Sequence, residues 1–284
     1  MAVNAQDVKK LREQTGAGMM DCKKALQETG GDFKQAVRYL REKGLAEAKK
    51  RAGREAREGR IAVSSSGDGN AALMLEVNCE TDFVARTDEF DRFVQETGAK
   101  LLAGGATGME EIPGEVERMV KEAAASFGEN VLLRRFVRFD KTDAAKSVFN
   151  SYIHLGGKVG VLSEYLIDGP RDHPEVLDFM KNVSLQIASM EPVSISREDI
   201  PQEALEEQKE ILRRQARESG KPEHILDKIV EGRLAKYFGE ACLLEQKYVK
   251  DSSQTIDQYR TSVQDRAGVQ VRVVRFARFK LGED

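Results

Sequence analysis

The feature that most constrains this chain is an internal echo. Two stretches, Val131-Leu132-Leu133-Arg134-Arg135-Phe136-Val137-Arg138-Phe139 and Val269-Gln270-Val271-Arg272-Val273-Val274-Arg275-Phe276-Ala277-Arg278-Phe279, read as strands and share an Arg-Phe-x-Arg-Phe ending. The order before each is also alike. The first follows a strand at 60–63, a glycine-containing turn at 64–70 and a returning strand at 72–79. A helix at 88–103, spaced by Phe90, Phe93, Val94 and Leu101, and another around 116–125 complete that copy. The second follows a hairpin of 148–154 and 159–167 through Gly156-Gly157. Val176, Phe179, Met180, Val183 and Ile187 then mark a helix, and a further helix falls near 256–264. Hairpin, helix, helix and strand, given twice, predict an α+β chain with two pseudo-repeated subdomains, each a small antiparallel sheet with helices on one face.

Helical segments surround the repeat. Val8 and Leu11 mark a first helix that ends before Gly16-Ala17-Gly18, and Cys22, Ala25 and Leu26 a second that closes at Gly30-Gly31. Asp32 suits the N-cap of a third, whose inner face is Phe33, Ala36, Val37 and Leu40 and whose stop is Gly44. Together they predict a small three-helix module. Residues 45–60, rich in Ala, Lys, Arg and Glu, read as a solvated helical linker, because Glu47, Glu55 and Glu58 interrupt its basic run. Within the second copy, 201–238 is one long helical pattern broken by Ser219-Gly220-Lys221-Pro222. Gly220 suits a position just past a helix end and Pro222 a first turn. With Leu205 and Leu212 on one arm and Ile225, Ile229 and Leu234 on the other, the segment predicts an inserted antiparallel helical hairpin.

Composition narrows the function. The 284 residues suffice for roughly two domains, and 40% hydrophobic with 33% charged content fits a globular protein with a solvated surface. A formal net charge of −3 gives no global field toward nucleic acid or an anionic membrane. No apolar run is long enough to span a bilayer. Residues 1–12 carry early charge and no apolar segment, so they read as neither a secretory signal nor a transit peptide. Cys22, Cys79 and Cys242 are odd in number and far apart, which excludes a C-x-x-C pair and points to small buried hydrophobes in a reducing, cytoplasmic compartment. There is no phosphate-binding Gly-x-x-x-x-Gly-Lys-Ser/Thr; Gly16-x-Gly18 and Gly156-Gly157-Lys158 read as turns. His154, His173 and His224 are scattered, with His173 and His224 expected at the surface. Thr81 and Asp82 lack a partner for acid–base work. Neither metal nor cofactor is expected, and catalysis by this chain is not.

One short stretch remains unexplained by architecture. The alternating strand from Leu73 to Cys79 runs into Glu80-Thr81-Asp82-Phe83-Val84-Ala85 with no glycine or proline at its exit. A ring beside a carboxylate at a strand end can be offered outward as an anchor for a partner's pocket. From spacing alone, however, Phe83 and Val84 are expected to fold back onto their own core, because a Phe beside a Val is usually buried. Met19 and Met20 pose a similar choice after their glycine turn, with one expected to point inward and one outward.

Thr81-Asp82-Phe83-Val84-Ala85 matches a signature of the elongation factor Ts family, and Thr15-Gly16-Ala17-Gly18-Met19-Met20-Asp21-Cys22-Lys23-Lys24-Ala25-Leu26 resembles that family's opening module. The similarity continues through Gly128-Glu129-Asn130, Ser151-Tyr152-Ile153-His154, Gly220-Lys221-Pro222 and Val230-Glu231-Gly232-Arg233. This resemblance implies a translation factor that exchanges guanine nucleotide on elongation factor Tu, meeting both its GDP-bound and nucleotide-free forms. The implied organisation is a ubiquitin-associated-like module and linker over 1–55, a core subdomain over 56–142, and a second subdomain in two parts, 143–200 and 241–284, around the hairpin at 201–240. Implied partner contacts are Thr81, Asp82, Phe83 and Val84 for exchange, with Arg12, Met19, Met20, His154 and Gly156 as secondary contacts. Phe83 would wedge between helices of the GTPase, and Asp82 would disturb magnesium and phosphate. The hairpin would serve contacts between subunits or to the partner, which leaves a dimer of heterodimers open. Some members add a helix after the last strand, and nothing is carried over from it. A reading from another class is a ribosome- or RNA-associated binding protein without exchange activity, resting on 49–60 and on Arg272, Arg275 and Arg278.

Overall fold

A computed structural model describes residues 3–218 and 225–283. The chain opens with α1 (Ala5–Thr15), α2 (Met19–Glu28) and α3 (Phe33–Arg51). The Asn4 side chain caps α1 by accepting from the Gln6 amide, Gly16 ends it with a φ of 68°, and Asp32 caps α3 through the Gln35 amide. Val8, Leu11, Cys22, Ala25, Leu26, Ala36 and Leu40 form the module's core.

A first compact unit joins this module to β1 (Glu58–Ser65), β2 (Ala71–Cys79), α4 (Asp82–Ala85), α5 (Asp88–Ala103), α6 (Gly114–Phe127) and β3 (Leu132–Asp140), and takes in Leu155–Val159 and the residues from Phe279 onward. The sheet order is β1-β2-β3, with β1 and β2 antiparallel so that Glu58 faces Cys79 and Ser65 faces Ala72. Leu73, Leu75, Val77, Phe90, Val94 and Leu101 make the core between sheet and helices. Gly98 lets α5 lie close on the sheet: a Cβ there would stand 2.5 Å from Ser64 Oγ and 3.0 Å from Leu75 Cδ2.

Two expectations are corrected here. Gly44 is not a helix stop. Helix α3 runs past it to Arg51, and the glycine serves packing instead: a Cβ at 44 would stand 2.9 Å from Ala125 Cβ, so its absence allows α3 and α6 to touch. The segment after it is no free linker either: Asn130 Nδ2 donates to the Arg54 carbonyl at 2.7 Å and the Ala52 carbonyl at 3.4 Å. The alternation in β2 also misleads, since every residue of that strand is buried. Glu76 goes under because Arg135 Nε, the Gly282 amide and Asn78 Nδ2 donate to it at 2.8, 2.9 and 3.2 Å.

The second compact unit, Asp140–His154 with Gly160–Arg278, holds most of β4 (Ser147–His154), β5 (Val159–Asp168), α7 (Pro174–Met190), α8 (Gln202–Glu218), α9 (Leu226–Ala241), β6 (Lys247–Tyr248), β7 (Asp251–Thr255), α10 (Ile256–Ala267) and β8 (Gln270–Lys280). Its sheet runs β4-β5-β8. Tyr165, Phe179, Tyr248 and Tyr259 build an aromatic core, with Tyr248 and Tyr259 stacked at 4.7 Å. The short β6–β7 pair carries no sequence signal. It is held through Gln186, whose Nε2 donates to the Lys247 carbonyl and whose Oε1 accepts the Val249 amide. His173 is half-buried rather than exposed, since its ring caps α7 by accepting the Glu175 amide.

Helices α8 and α9 pack on each other, with Arg213 paired to Asp227 at 2.8 Å. The buried positions on α9 are Leu226, Val230, Phe238 and Ala241, and the expected Ile225, Ile229 and Leu234 are only half-buried. The predicted break at 219–222 and His224 lie outside the described residues. Among the described residues no helix is long and apolar enough to cross a membrane.

Candidate partner-binding site

The exit of β2 is a helical turn, not a loop. Cys79 ends the strand fully buried, its thiol 3.2 Å from the Thr81 carbonyl oxygen. Burial, with the Glu129 carboxylate nearby, pushes that thiol up to about 12, so it is an inert packing group. Thr81 is extended (φ −124°, ψ 152°) and caps α4, its hydroxyl accepting from the Val84 amide at 3.4 Å. At the far end Thr87 Oγ1 donates to the Val84 carbonyl and accepts the Phe90 amide, joining α4 to α5 with no slack.

On a single helical turn so pinned, successive side chains are about 100° apart, so neighbours meet different surroundings. Ala85 is buried and Val84 packs on the core of the first unit, as a fold-back requires. Phe83 does the reverse, which corrects the expectation from spacing that it folds back with Val84: 82% of it is exposed. The two apolar residues therefore part company, one serving the fold and the other offered to solvent. Asp82, half-exposed, is paired with Arg86 at 2.9 Å one turn on.

The secondary residues lie elsewhere on the chain. Arg12 is exposed in the last turn of α1. Met19 and Met20 are both exposed, at 48% and 72%, which corrects the expectation of one inward and one outward. The buried stripe of α2 begins only at Cys22, so its first turn overhangs the module's core. His154, at the end of β4, is exposed, with Nδ1 2.9 Å from the Tyr152 hydroxyl and the two rings stacked at 5.7 Å. Gly156 has a φ of 65° in the following turn. Leu155, overlooked in the sequence, is also exposed and holds a φ of 50°. An apolar residue placed in a glycine turn was the available signal.

Glu129, part of the family resemblance but given no role there, also lies at this turn. It receives the Glu80 and Thr81 amides on Oε2, both at 3.0 Å, and the Thr81 hydroxyl on Oε1 at 2.6 Å. Its signal was faint, a carboxylate straight after the glycine that ends α6. Among the described residues no group of three or more potential metal ligands comes together.

A solvated ring beside a carboxylate, on a turn held at both ends, has the form of a protein-binding site, and so of a protein that works by contact with another. The comparisons specify which. The family model described as "Elongation factor TS" matches residues 80–283. The chain is 46% identical over 296 residues to elongation factor Ts of Aquifex aeolicus (strain VF5), covering 99% of each chain. It is 43% identical over 294 residues to that of Trichlorobacter lovleyi, covering 100% of this chain and 94% of that one. With the Clostridium botulinum (strain Alaska E43) protein the identity is 45% over 288 residues, covering 99% and 93%. The chain belongs to the elongation factor Ts family. Its work is guanine-nucleotide exchange on elongation factor Tu in translation elongation, and it is not itself an enzyme.

Proposed function

We propose that Phe83 is the wedge with which this chain loosens GDP on elongation factor Tu, with Asp82 acting beside it on the magnesium and phosphate surroundings. The observation that carries this is an exposed ring on a turn anchored at both ends. A GTPase holds GDP through backbone amides and magnesium, so an exchange factor needs no covalent step. It must bind the nucleotide-free form more tightly than the GDP-bound form, and linkage then weakens GDP by the same factor. A ten-thousand-fold preference takes about 5.5 kcal/mol. Burying one Phe supplies roughly 1.5–3 kcal/mol of that. Val84 and Thr81 hold the wedge, while Arg12, Met19 and Met20 on the helical module, and His154 and Gly156 at the β4–β5 turn, supply further grip.

In this reading the organisation is the family's: a ubiquitin-associated-like module over 1–55, two related core subdomains, and a hairpin at 201–240 free for contacts to the partner or a second copy. The work is cytoplasmic. The RNA reading is weakened, because several of its basic residues meet carboxylates of this chain. Arg275 pairs with Glu164 at 2.6 Å, Arg278 with Glu191, Arg54 with Glu80 at 3.4 Å and Arg60 with Asp91 at 2.9 Å.

Phe83→Ala is expected to slow release of fluorescent GDP from elongation factor Tu by about tenfold or more, the scale of one lost aromatic anchor. Its melting temperature should stay at the wild-type value, since the ring supports nothing in the free protein. Unchanged release would remove the wedge.

A further inference from the structure

We infer that Glu129 is a positioning residue for exchange: its carboxylate fixes the direction in which Phe83 stands. The inference rests on the wedge reading. A helix of four residues cannot hold itself, because nucleation costs more than so few hydrogen bonds return. The direction of α4 must therefore be set from outside. Three donors in the two residues before that helix, the Glu80 amide, the Thr81 amide and the Thr81 hydroxyl, all end on the Glu129 carboxylate. Charge-assisted bonds of this kind are the strong ones. By accepting the hydrogen bond from the hydroxyl, Glu129 also leaves Thr81 Oγ1 turned to accept the Val84 amide.

A second link runs the other way. Glu80 Oε1 accepts the Asn130 amide at 2.6 Å, and the buried Asn130 side chain holds the Ala52 and Arg54 carbonyls. The sequence Glu129-Asn130 thus ties the Phe83 turn on one side and the chain leaving α3 on the other. Glu129 is half-buried, so water can replace it when it is removed. The fold should survive and the turn should loosen.

The test measures GDP release from elongation factor Tu over a range of factor concentrations for Glu129→Ala, Glu129→Gln, Phe83→Ala and the Phe83→Ala/Glu129→Ala double variant. Amide hydrogen exchange is followed on the free proteins. Glu129→Ala should lower the maximal release rate about tenfold, the scale of one charge-assisted bond, with little change in the half-saturating concentration. Glu129→Gln, which keeps an acceptor oxygen for the two amides, should recover part of the loss. The double variant should be no slower than Phe83→Ala alone, because Glu129 acts through that ring. In Glu129→Ala, amides 80–86 should exchange faster while those of β2 stay protected. Losses that multiply in the double variant, or unaltered amide exchange at 80–86, would overturn the positioning role and leave the wedge standing. A silent Phe83→Ala would instead remove the wedge, whatever the amides of Glu129→Ala show.

Discussion

The two sheets share an internal device and finish it differently. In the first, buried Glu76 on β2 takes Arg135 of the closing strand, and Arg138, three residues on, donates to the Leu102 carbonyl in the last turn of α5. In the second, buried Glu164 on β5 takes Arg275, and Arg278 donates to the Ala188 carbonyl in the last turn of α7. Each Arg-Phe-x-Arg-Phe ending thus ties a central strand to its helix. Beyond the central strands the likeness stops. Strand β2 leaves through Glu80 and extended Thr81 into α4 and an exposed ring. Strand β5 leaves through Gly169 at a φ of 138°, where a Cβ would meet Val269 Cγ1 at 2.7 Å, and no turn like α4 intervenes before α7. The paired charges build the frame; the few residues just past the strand end build the site.

If that division is real, the frame should respond alike in both sheets. Glu76→Ala and Glu164→Ala each leave an arginine without its buried acceptor, which costs about 3 kcal/mol at the low end for such pairs. The low end applies because Arg135 and Arg275 keep 26% and 38% of their side chains in solvent. Urea denaturation followed by circular dichroism would read both, and one silent substitution would show that the sheets are not held by one device. Next in size is Gly169→Ala, expected to cost about 1–3 kcal/mol through a strained φ and a clash with Val269, with GDP release unaltered. Slower release would give the second exit a share in exchange that its geometry does not suggest.

Glu164 adds a pH signature. Burial alone would raise its carboxyl, but the Ser147 hydroxyl, the Thr142 amide and hydroxyl, and Arg275 all donate to the ionised form and hold it below the usual 4.5. The folded value being the lower one, the unfolded chain takes up the proton first. The contribution is therefore complete above the unfolded value and is lost as pH falls through the folded one. Stability of the wild type should decline in that window, and Glu164→Gln should decline less. Equal slopes would mean the hydrogen bonds do not favour the charged form.

Sequence patterning carried the frame because its signals are local. The apolar spacing of Phe90, Val94 and Leu101, or of Val176, Phe179 and Val183, reports a buried helix face whatever it packs on. Signals that depend on distant partners were read wrongly. Gly44 looked like a stop because nothing near it in sequence announces Ala125. Glu76 and Asn78 looked like a solvated face because the arginine that neutralises the acid lies 59 residues away. At the site the motif was legible and its geometry was not. Adjacent Phe83 and Val84 are equally apolar, and only the pinning of α4 at Thr81 and Thr87 decides which one turns outward.

Thr81→Ala has a smaller expected effect on stability than the substitutions at Glu76, Glu164 and Gly169 and bears most directly on the difference between the two exits. It removes the cap of α4 and one of three donors to Glu129, for about 1 kcal/mol. That is too little to disturb β2, whose neighbours are untouched. Exchange should suffer more than stability does, because a loosened α4 lets Phe83 sample directions that do not fit the partner. Thr81→Ser restores both hydroxyl bonds and should restore the rate. GDP release and urea midpoints measured on the same preparations would separate the two effects. If release falls only in proportion to stability, the first exit is ordinary structure like the second, and the exposed ring owes nothing to the clamp beneath it.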